Sequence, residues 1–278
     1  MERMTRRDIL KLGAVGAAAG LAAGKGAADV QKKIPVAVQL YSVRAETDIA
    51  VVLAAVGKMG YDGVEFAGYW GKTAAELKKL LDDNGLKCCG THTGWGSVQG
   101  DELKKTAEFN LTMGNPNLVV PGGIPVNDTA QSWIDCGKLF SEIAVKAKAL
   151  GCRVGYHNHS HEFKPLDGGK NGWELFFDNA SPDVIMQVDT GNCMGGGGDP
   201  VKYLRQYPGR AITIHMKEFG GNNALVGNGE VKWKDVFDAC ETVGGTQWYI
   251  IEQEGSRPDM TPLDCIRKCR ENLKKMGR

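Results

Sequence analysis

The chain repeats one pattern eight times between residue 34 and its C-terminus. Short apolar runs alternate with longer amphipathic segments. Near-continuous apolar runs are typical of strands that are buried on both faces of a parallel sheet, and the amphipathic segments between them indicate helices that cover that sheet. The predicted strands are 34–41, 63–66, 86–91, 117–121, 152–157, 184–188, 211–216 and 248–251.

The segments between the strands complete eight β/α units. The predicted helices are 49–59, 74–84, 101–113, 129–150, 173–179, 200–207, 233–243 and 262–275. Eight units in about 245 residues match the usual size of a (β/α)8 barrel. A doubly wound open sheet is the alternative fold, but the lack of a nucleotide-binding glycine fingerprint after these strands favours closure. The sequence therefore predicts one α/β domain, a single (β/α)8 TIM barrel, over residues 29–278.

The first 28 residues differ from the repeating part. Segment 5–11 has the sequence TRRDILK, which resembles the twin-arginine export motif, and a weakly apolar run of Ala and Gly follows it. That run is short and rich in glycine, so it makes a poor membrane span. We expect residues 1–28 to be a cleavable signal segment and the mature protein to be periplasmic, exported by the twin-arginine route. A tethered or disordered N-terminus is the alternative.

Charge and cysteine content limit the partners and sites. The formal net charge is +1, and because the first 28 residues are basic, the mature chain is weakly acidic. Such a chain has no electrostatic footprint for nucleic acid or an anionic membrane. The eight cysteines form no CxxC pair, so we expect buried free thiols and no zinc–thiolate site. We therefore expect a small-molecule partner, and an oligomer is possible.

Polar side chains stand at the ends of six predicted strands. Parallel strands of a barrel end at one rim, where barrel enzymes build their active sites, so these side chains are expected to converge. Taken singly, each could be a strand-end residue that caps a loop. The residues are Glu65, His92, His157, Asp189, His215, Lys217, Glu252 and Glu254.

The stretch 156–162, YHNHSHE, is the densest of these strand ends, since it holds three of the five histidines. An Asp, a His and one or two Glu from neighbouring strands are ligands for a divalent cation such as Mn²⁺, Mg²⁺, Co²⁺ or Zn²⁺. Such an ion could polarise a sugar carbonyl while a carboxylate or imidazole moves a proton.

Trp70 and Trp95 could stack on a sugar ring or anchor loops. Few basic residues besides Lys217 and Arg257 stand at the rim, which favours an unphosphorylated sugar or ketosugar.

Six motifs carry a family resemblance. They are VQLYSVR (38–44), GYDGVEF (60–66), YHNH (156–159), VDTG (188–191), HMK (215–217) and IEQE (251–254). With them the sequence resembles the sugar phosphate isomerase/epimerase-like superfamily of xylose isomerase-like TIM barrels, in particular its branch with twin-arginine leaders. The resemblance covers essentially the whole mature chain, and it implies a metal-dependent enzyme that acts on carbohydrates.

The resemblance implies a metal held by Glu, Asp, His and Glu from strands five to eight. Asp189, His215 and Glu252 match three of these positions. At the fifth strand many relatives have a Glu before Asn-His, where this chain has His157. Either His157 binds the metal, or Glu162 turns back from the loop to do so. We favour Glu162, because a third carboxylate suits a hard cation.

The resemblance also implies roles for the remaining strand-end residues. The expected proton carriers are His157 with Lys217 or Glu254. The expected substrate contacts are Glu65, His92, Trp95, Asn158 and His159. Two further positions depart from the relatives, since Glu218 stands where an Asp is frequent and Asn192 where a His or an aromatic residue is frequent.

Together these features predict a divalent-metal-dependent sugar isomerase or epimerase that acts by proton abstraction next to a carbonyl. A keto-sugar or inosose-type dehydratase or lyase is the first alternative, because it begins with the same proton removal. A non-catalytic periplasmic sugar-binding protein is another. A metal-dependent DNA-repair endonuclease on the same barrel is disfavoured, because the mature chain is weakly acidic.

Overall fold

Parallel strands form the centre of the protein. The structure is a computed structural model that describes residues 33–166, 168–255 and 257–278; the predicted signal segment, residues 1–28, lies outside the described residues. Each of the eight predicted strands is present within these ranges. The strands are β1 (Val36–Gln39), β2 (Gly63–Phe66), β3 (Lys87–His92), β4 (Asn117–Val120), β5 (Arg153–His157), β6 (Ile185–Gln187), β7 (Thr213–Met216) and β8 (Trp248–Ile251).

The sheet curls until its two outer strands meet. Its hydrogen-bonded order is β6-β5-β4-β3-β2-β1-β8-β7, and every pairing is parallel. Beyond that order, the backbone N–H of His215 donates to the carbonyl of Val188 at 2.8 Å, and a parallel bridge pairs Asp189 with His215. These contacts join β6 to β7 in a nearly closed barrel, so the predicted α/β TIM barrel is confirmed.

Helices follow the strands, and local sequence signals define their ends. Thr73 and Asn171 begin two of them with reciprocal side-chain caps to Glu76 and Glu174. The predicted glycine stop after residue 84 is confirmed, because Gly85 has a φ of 66°. The helices are α1 (Ile49–Lys58), α2 (Ala74–Asp83), α3 (Glu102–Thr112), α4 (Ala130–Ala149), α5 (Gly172–Asn179), α6 (Thr190–Gly195), α7 (Pro200–Gln206), α8 (Trp233–Ala239) and α9 (Pro262–Lys275).

Short helical turns follow several strands and were not evident from the apolar pattern. Helix α6 begins directly after Asp189, and three-residue or four-residue turns occur at Leu40–Val43, Trp95–Val98 and His161–Phe163. The first of these ends β1 two residues before the predicted end, because the Gln39 side chain accepts a hydrogen bond from the backbone N–H of Tyr41 at 3.0 Å. These turns set the direction of side chains at the rim.

Most of the buried side chains are apolar, and the cysteines lie among them. All eight cysteines lie within the described ranges, and there they are buried and free, as expected. Burial raises the pKa of Cys88, Cys136 and Cys240 to about 12. The candidate metal-binding groups among the described residues consist of His, Asp and Glu. A separate finding is that, of the helices described here, none is both long and apolar enough to cross a membrane.

Candidate metal centre and active site

Four side chains from neighbouring strand ends meet inside the rim. His157 ends β5, Asp189 follows β6, His215 lies on β7 and Glu252 follows β8. Each offers one ligand atom, and these four atoms lie within 4.8 Å of one another. The Nδ1 atom of His215 is 2.5 Å from Glu252 Oε2 and 3.9 Å from Asp189 Oδ2. All four side chains are buried.

Asp189 is the member whose surroundings are least complete. It caps the first turn of α6, because its Oδ1 accepts a hydrogen bond from the backbone N–H of Asn192 at 2.7 Å. Its Oδ2 is buried and has no hydrogen-bond partner among the residues that the structure describes. A buried carboxylate oxygen without a partner is costly and calls for an explanation. A divalent cation fits here, since two carboxylates and two imidazoles are suitable ligands for it.

The electrostatics of the group favour positive charge between its carboxylates. Burial raises the pKa of Asp189 to about 8, a shift that Lys217 opposes and Glu252 reinforces. Burial lowers the pKa of His215, but Glu65 and Glu252 outweigh burial and raise it to about 10. Burial raises the pKa of Glu252, yet His215 outweighs burial and lowers it well below the ordinary value. The carboxylates therefore stabilise a cation at this position.

The structure brings His157 to this group and keeps Glu162 out of it, which differs from our preferred ligand assignment. Glu162 is buried in the turn after β5, where its Oε1 accepts from the Tyr156 hydroxyl at 2.8 Å and its Oε2 accepts from the backbone N–H of His159 at 3.0 Å. Both oxygens thus hold the turn together. Burial, followed by His215 and His92, lowers the pKa of His157 well below its ordinary value, which favours the neutral ring that a metal requires.

A polar layer lies beneath the group, inside the barrel, and we name it the floor layer: Gln39, Glu65 and Gln187. All three side chains are fully buried. Glu65 Oε2 accepts from Gln39 Nε2 at 2.8 Å, and Glu65 Oε1 accepts from Gln187 Nε2 at 2.8 Å. Gly90 on β3 packs against this carboxylate, and a Cβ there would collide with it. Glu65 was expected to contact substrate but lies below the histidines instead.

His92 joins the floor layer to the metal group. Its Nε2 is 2.9 Å from Gln187 Oε1 and 3.3 Å from Glu65 Oε2. Its ring stacks on that of His215, with centroids 5.1 Å apart and planes 11° apart. His92, His157 and His215 also form a second group of potential ligands that shares two members with the first.

Lys217 and Glu254 form an ion pair beside the metal group, on the solvent side. The ammonium of Lys217 contacts Glu254 Oε2, and both side chains are partly exposed. Burial lowers the pKa of Lys217, but Asp189, Glu252 and Glu254 outweigh burial and raise it above the ordinary value. Glu254 also lines a cleft of about 250 Å³ with Ser42 and Arg44. A small molecule in this cleft could therefore meet the carboxylate of the pair.

The other expected substrate contacts lie in three different settings. His159 is exposed, and its ring meets that of His157 edge-on with centroids 5.3 Å apart. Asn158 is buried and joins two strand ends, because its Oδ1 accepts from the backbone N–H of Asp189 at 2.8 Å and its Nδ2 donates to the carbonyl of Asp189 at 3.2 Å. Trp95 stacks on Phe140 of α4 at 5.3 Å, which anchors its loop.

Glu218 holds the long loop between β7 and α8. Its carboxylate accepts from the backbone N–H groups of Phe219 at 3.1 Å, Gly227 at 2.7 Å and Val231 at 3.0 Å. It also accepts from the indole N–H of Trp233 at 2.8 Å. With four donors on two oxygens, this side chain is a loop anchor and not a proton donor for chemistry.

Comparisons with known proteins find distant relatives that align with most of the chain. The chain is 21% identical over 274 residues to the rhizopine catabolism protein MocC of Rhizobium meliloti, covering 84% of this chain and 82% of that one. It is 24% identical over 238 residues to a 2-oxo-tetronate isomerase of Haemophilus influenzae (77% and 91% covered). It is 22% identical over 260 residues to an inosose dehydratase of Lacticaseibacillus casei (77% and 85% covered).

A solved structure and a family model agree with the observed fold. A sugar phosphate isomerase/epimerase from Parabacteroides distasonis superposes with a TM-score of 0.77 at 24% identity, covering 90% of this chain and 97% of that one. The sequence model of the Xylose isomerase-like TIM barrel family matches residues 53–276. Since this match spans most of the chain, the protein belongs to the xylose isomerase-like TIM barrel family.

Proposed function

We propose that the protein is a divalent-metal-dependent sugar isomerase or epimerase that removes a proton next to the carbonyl of a sugar or ketosugar. The observation that carries this proposal is the buried Asp189 Oδ2, which faces His215 Nδ1 and, within the described ranges, has no hydrogen-bond partner. An oxygen so placed is suited to a cation. The 2-oxo-tetronate isomerase among the relatives supports this reaction class.

His157, Asp189, His215 and Glu252 would hold the ion, for which Mn²⁺, Mg²⁺, Co²⁺ and Zn²⁺ are the candidates. When bound, the ion polarises the substrate carbonyl and stabilises the negative charge that develops on its oxygen. The chain's own contribution is to fix the four donors and to exclude water from them, since all four are buried. His157 is then occupied as a ligand, so the proton carriers come from the rim.

Glu254 and Lys217 are the groups that would transfer the proton. Glu254 Oε2 takes the proton from the carbon next to the carbonyl, and the ammonium of Lys217 donates a hydrogen bond to a substrate oxygen. Their ion pair keeps the amine of Lys217 protonated, which is the state that its role as a hydrogen-bond donor requires. Return of the proton to the former carbonyl carbon, with transfer of the hydroxyl proton from its own oxygen to the former carbonyl oxygen, gives the isomer. Return of the proton to the other face of the carbon that lost it gives the epimer.

A keto-sugar or inosose-type dehydratase is the second candidate, and the same ion pair favours it. After Glu254 takes the proton, the bond between the next carbon and its hydroxyl oxygen breaks. Lys217 supplies a proton to that oxygen, which leaves as water. The ammonium lies beside the carboxylate that takes the proton, so both groups can reach one substrate, and an inosose dehydratase is among the relatives.

The reaction can be tested with a panel of aldoses, ketoses and keto-inositols in deuterated water. We expect exchange of the hydrogen next to the carbonyl, detected by NMR, in the presence of the metal. An isomeric product supports the first candidate, and an absorbing enone supports the second. Ligand-induced stabilisation without exchange or product would instead indicate the non-catalytic sugar-binding protein.

Substitution of Asp189 tests the metal site within that reaction. We expect Asp189→Asn to lose bound metal and the exchange reaction together, as measured by elemental analysis and NMR. Asp199→Asn is the matched control, because Asp199 also caps a helix, accepting from the backbone N–H of Val201 at 2.9 Å, but on the exposed N-terminus of α7. An Asp189→Asn protein with full metal content and activity would discard the proposal.

The place of action is also proposed. The twin-arginine-like segment at residues 5–11 supports export, so we propose a periplasmic protein whose partner is a small carbohydrate. Expression of the full chain should give a mature form that starts near residue 29 and fractionates with the periplasm. Replacing Arg6 and Arg7 by Lys should retain the uncleaved form inside the cell; cleavage and export that persist would remove this proposal.

A further inference from the structure

One buried amide serves two of the histidines at the centre. The side chain of Gln187, at the end of β6, is fully buried. Its Oε1 lies 3.1 Å from His157 Nδ1 and 2.9 Å from His92 Nε2. Its Nε2 lies 2.8 Å from Glu65 Oε1 and 2.9 Å from Thr213 Oγ1. The amide therefore contacts four polar groups, from four strands or strand ends.

The partners of Gln187 determine which way its amide points. A charged carboxylate such as Glu65 can only accept hydrogen bonds, so the amide atom that faces it must be the NH₂ group. The amide oxygen is then the atom that faces both imidazoles. Since this oxygen is an acceptor, the ring nitrogens that meet it must carry hydrogen.

This requirement selects one tautomer of His157. Its Nδ1 carries the hydrogen and donates to Gln187 Oε1. A neutral imidazole has one protonated nitrogen, so Nε2 of His157 keeps its lone pair. That lone pair is what a metal ion binds. Metal-binding histidines usually donate their other ring N–H to a carboxylate, a carbonyl or a water in this way.

Glu65 does the same for His215. Its Oε2 lies 2.6 Å from His215 Nε2, which places the ring hydrogen on that nitrogen. The other nitrogen, Nδ1, lies 2.5 Å from Glu252 Oε2 and donates to that carboxylate in the absence of an ion, so a bound ion would replace this hydrogen. Both histidines therefore use their protein-facing nitrogen as a donor. The second nitrogen of His157 has its lone pair free at the centre, and that of His215 is freed when its hydrogen is displaced from Glu252.

We propose that Gln187 and Glu65 are positioning residues that set the ring tautomers of His157 and His215 for metal binding, and that the resulting pair of imidazoles makes the centre prefer Co²⁺ or Zn²⁺ over Mg²⁺. The proposal rests on the proposed function, because it assumes that the four-residue group binds a metal. The preference follows from ligand type, since imidazole suits Zn²⁺ and related ions whereas Mg²⁺ prefers oxygen ligands.

The tautomers can be observed directly, without metal and without activity. Two-bond ¹H–¹⁵N correlation spectra of ¹⁵N-histidine-labelled, chelator-treated protein distinguish Nδ1–H from Nε2–H rings, and a His157 variant assigns the signal. We expect His157 to carry its hydrogen on Nδ1 in the wild type and to lose this uniform state in Gln187→Met, which has a similar volume but no amide. A wild-type His157 with its hydrogen on Nε2 would overturn the proposal.

Metal titrations measure the consequence for affinity. Calorimetry of the chelator-treated protein with Co²⁺, Zn²⁺ and Mg²⁺ should show tighter binding of Co²⁺ and Zn²⁺ than of Mg²⁺. Gln187→Met should weaken Co²⁺ binding by about 10–100-fold. Asn115→Leu is the matched control: it removes another fully buried amide, which donates to Asn110 Oδ1 at 2.9 Å two residues before β4 begins, and should leave the affinity near that of the wild type.

The outcomes separate this proposal from the proposed function. If the wild type binds none of these ions, the proposed metal site is wrong, whichever tautomers the histidines adopt. A wild type that binds Co²⁺ while Gln187→Met binds it equally well, or while Asn115→Leu loses as much affinity, overturns the positioning role. Should Gln187→Met fail to fold, His157→Glu provides the second test: it should raise Mg²⁺ affinity relative to Co²⁺, and an unchanged ratio would overturn the ligand-type argument.

Discussion

Two buried carboxylates near the ends of adjacent strands have opposite surroundings. Glu218, two residues beyond β7, accepts four hydrogen bonds from its own loop. Asp189, two residues beyond β6, has one oxygen paired with a backbone N–H and the other, within the described part of the chain, without a hydrogen-bond partner. Both cost desolvation energy on burial, but only the first is compensated by the protein. A fully paired carboxylate stabilises a loop, whereas an incompletely paired one is suited to bind something else.

A third carboxylate, Glu254, allows a role in proton transfer to be distinguished from a role in metal binding. It is partly exposed and paired with Lys217, so we assign it the proton transfer and not metal binding. Glu254→Gln should lower turnover by roughly 10²–10⁴-fold, the usual contribution of a general base, while metal content stays the same. Exchange of substrate hydrogen in deuterated water measures the change.

Glu230→Gln is the control for that prediction, because Glu230 is exposed in the loop that Glu218 anchors. It should leave both turnover and metal content unchanged. Loss of metal from Glu254→Gln would contradict the division of roles between the rim pair and the buried group.

Replacement of Glu218 should affect folding and not chemistry. Glu218→Gln puts an NH₂ group where N–H donors need an acceptor, so we expect the free energy of unfolding to fall by roughly 3 kcal/mol. Chemical denaturation measures this, with Glu230→Gln as the control in the same loop. Metal affinity of the folded protein should change little. A variant that keeps its stability but loses turnover would assign Glu218 the acid role of the Asp that is frequent in relatives.

Replacement of Asp189 should affect metal binding and not the stability of the metal-free protein. Without metal, Asp189→Asn should be as stable as the wild type or more so, because it removes a buried carboxyl whose Oδ2 has no partner among the described residues and keeps an oxygen to cap α6. With metal at 100 times its dissociation constant, the wild type should gain about 2.7 kcal/mol of stability, and Asp189→Asn should gain much less. An equal gain in both proteins would contradict the assignment of Asp189 as a ligand.

The sequence predicts the scaffold well because its signals are local. Each strand is an apolar run of ordinary length, and most of the main helices have a cap or a stop in their own sequence, as at Thr73 and Gly85. The positions of Asp189, His215 and Glu252 follow from the same pattern, since parallel strands of a barrel end at one rim. Their convergence could therefore be predicted without knowing any distance.

The choice between His157 and Glu162 could not be made this way. It depends on the short turn His161–Phe163, which directs Glu162 to Tyr156 and the backbone of His159. A turn of three residues is too short to produce a periodic pattern of apolar residues in the sequence. We favoured Glu162 because a hard cation prefers carboxylate ligands. That argument did not include the path of the backbone, which turns Glu162 away from the centre.

The floor layer and the Glu218 anchor were missed for a related reason. Gln39 and Gln187 are single polar residues within apolar runs, and this was the available signal that something inside the barrel needs hydrogen bonds. Their partners, however, come from distant strands, up to 122 residues away in the case of Gln187 and Glu65. The donors to Glu218 likewise lie up to 15 residues further along a loop without a periodic pattern.

The most direct test of the metal centre is anomalous X-ray diffraction from crystals grown with Co²⁺ or Zn²⁺, recorded at the absorption edge of the metal. The account predicts one strong peak inside the rim, in contact with His157 Nε2, Asp189 Oδ2, His215 Nδ1 and Glu252. An ion bound to Glu162 with His157 turned away, or a metal found at the exposed His159 and His161 while the buried group stays empty, would contradict it.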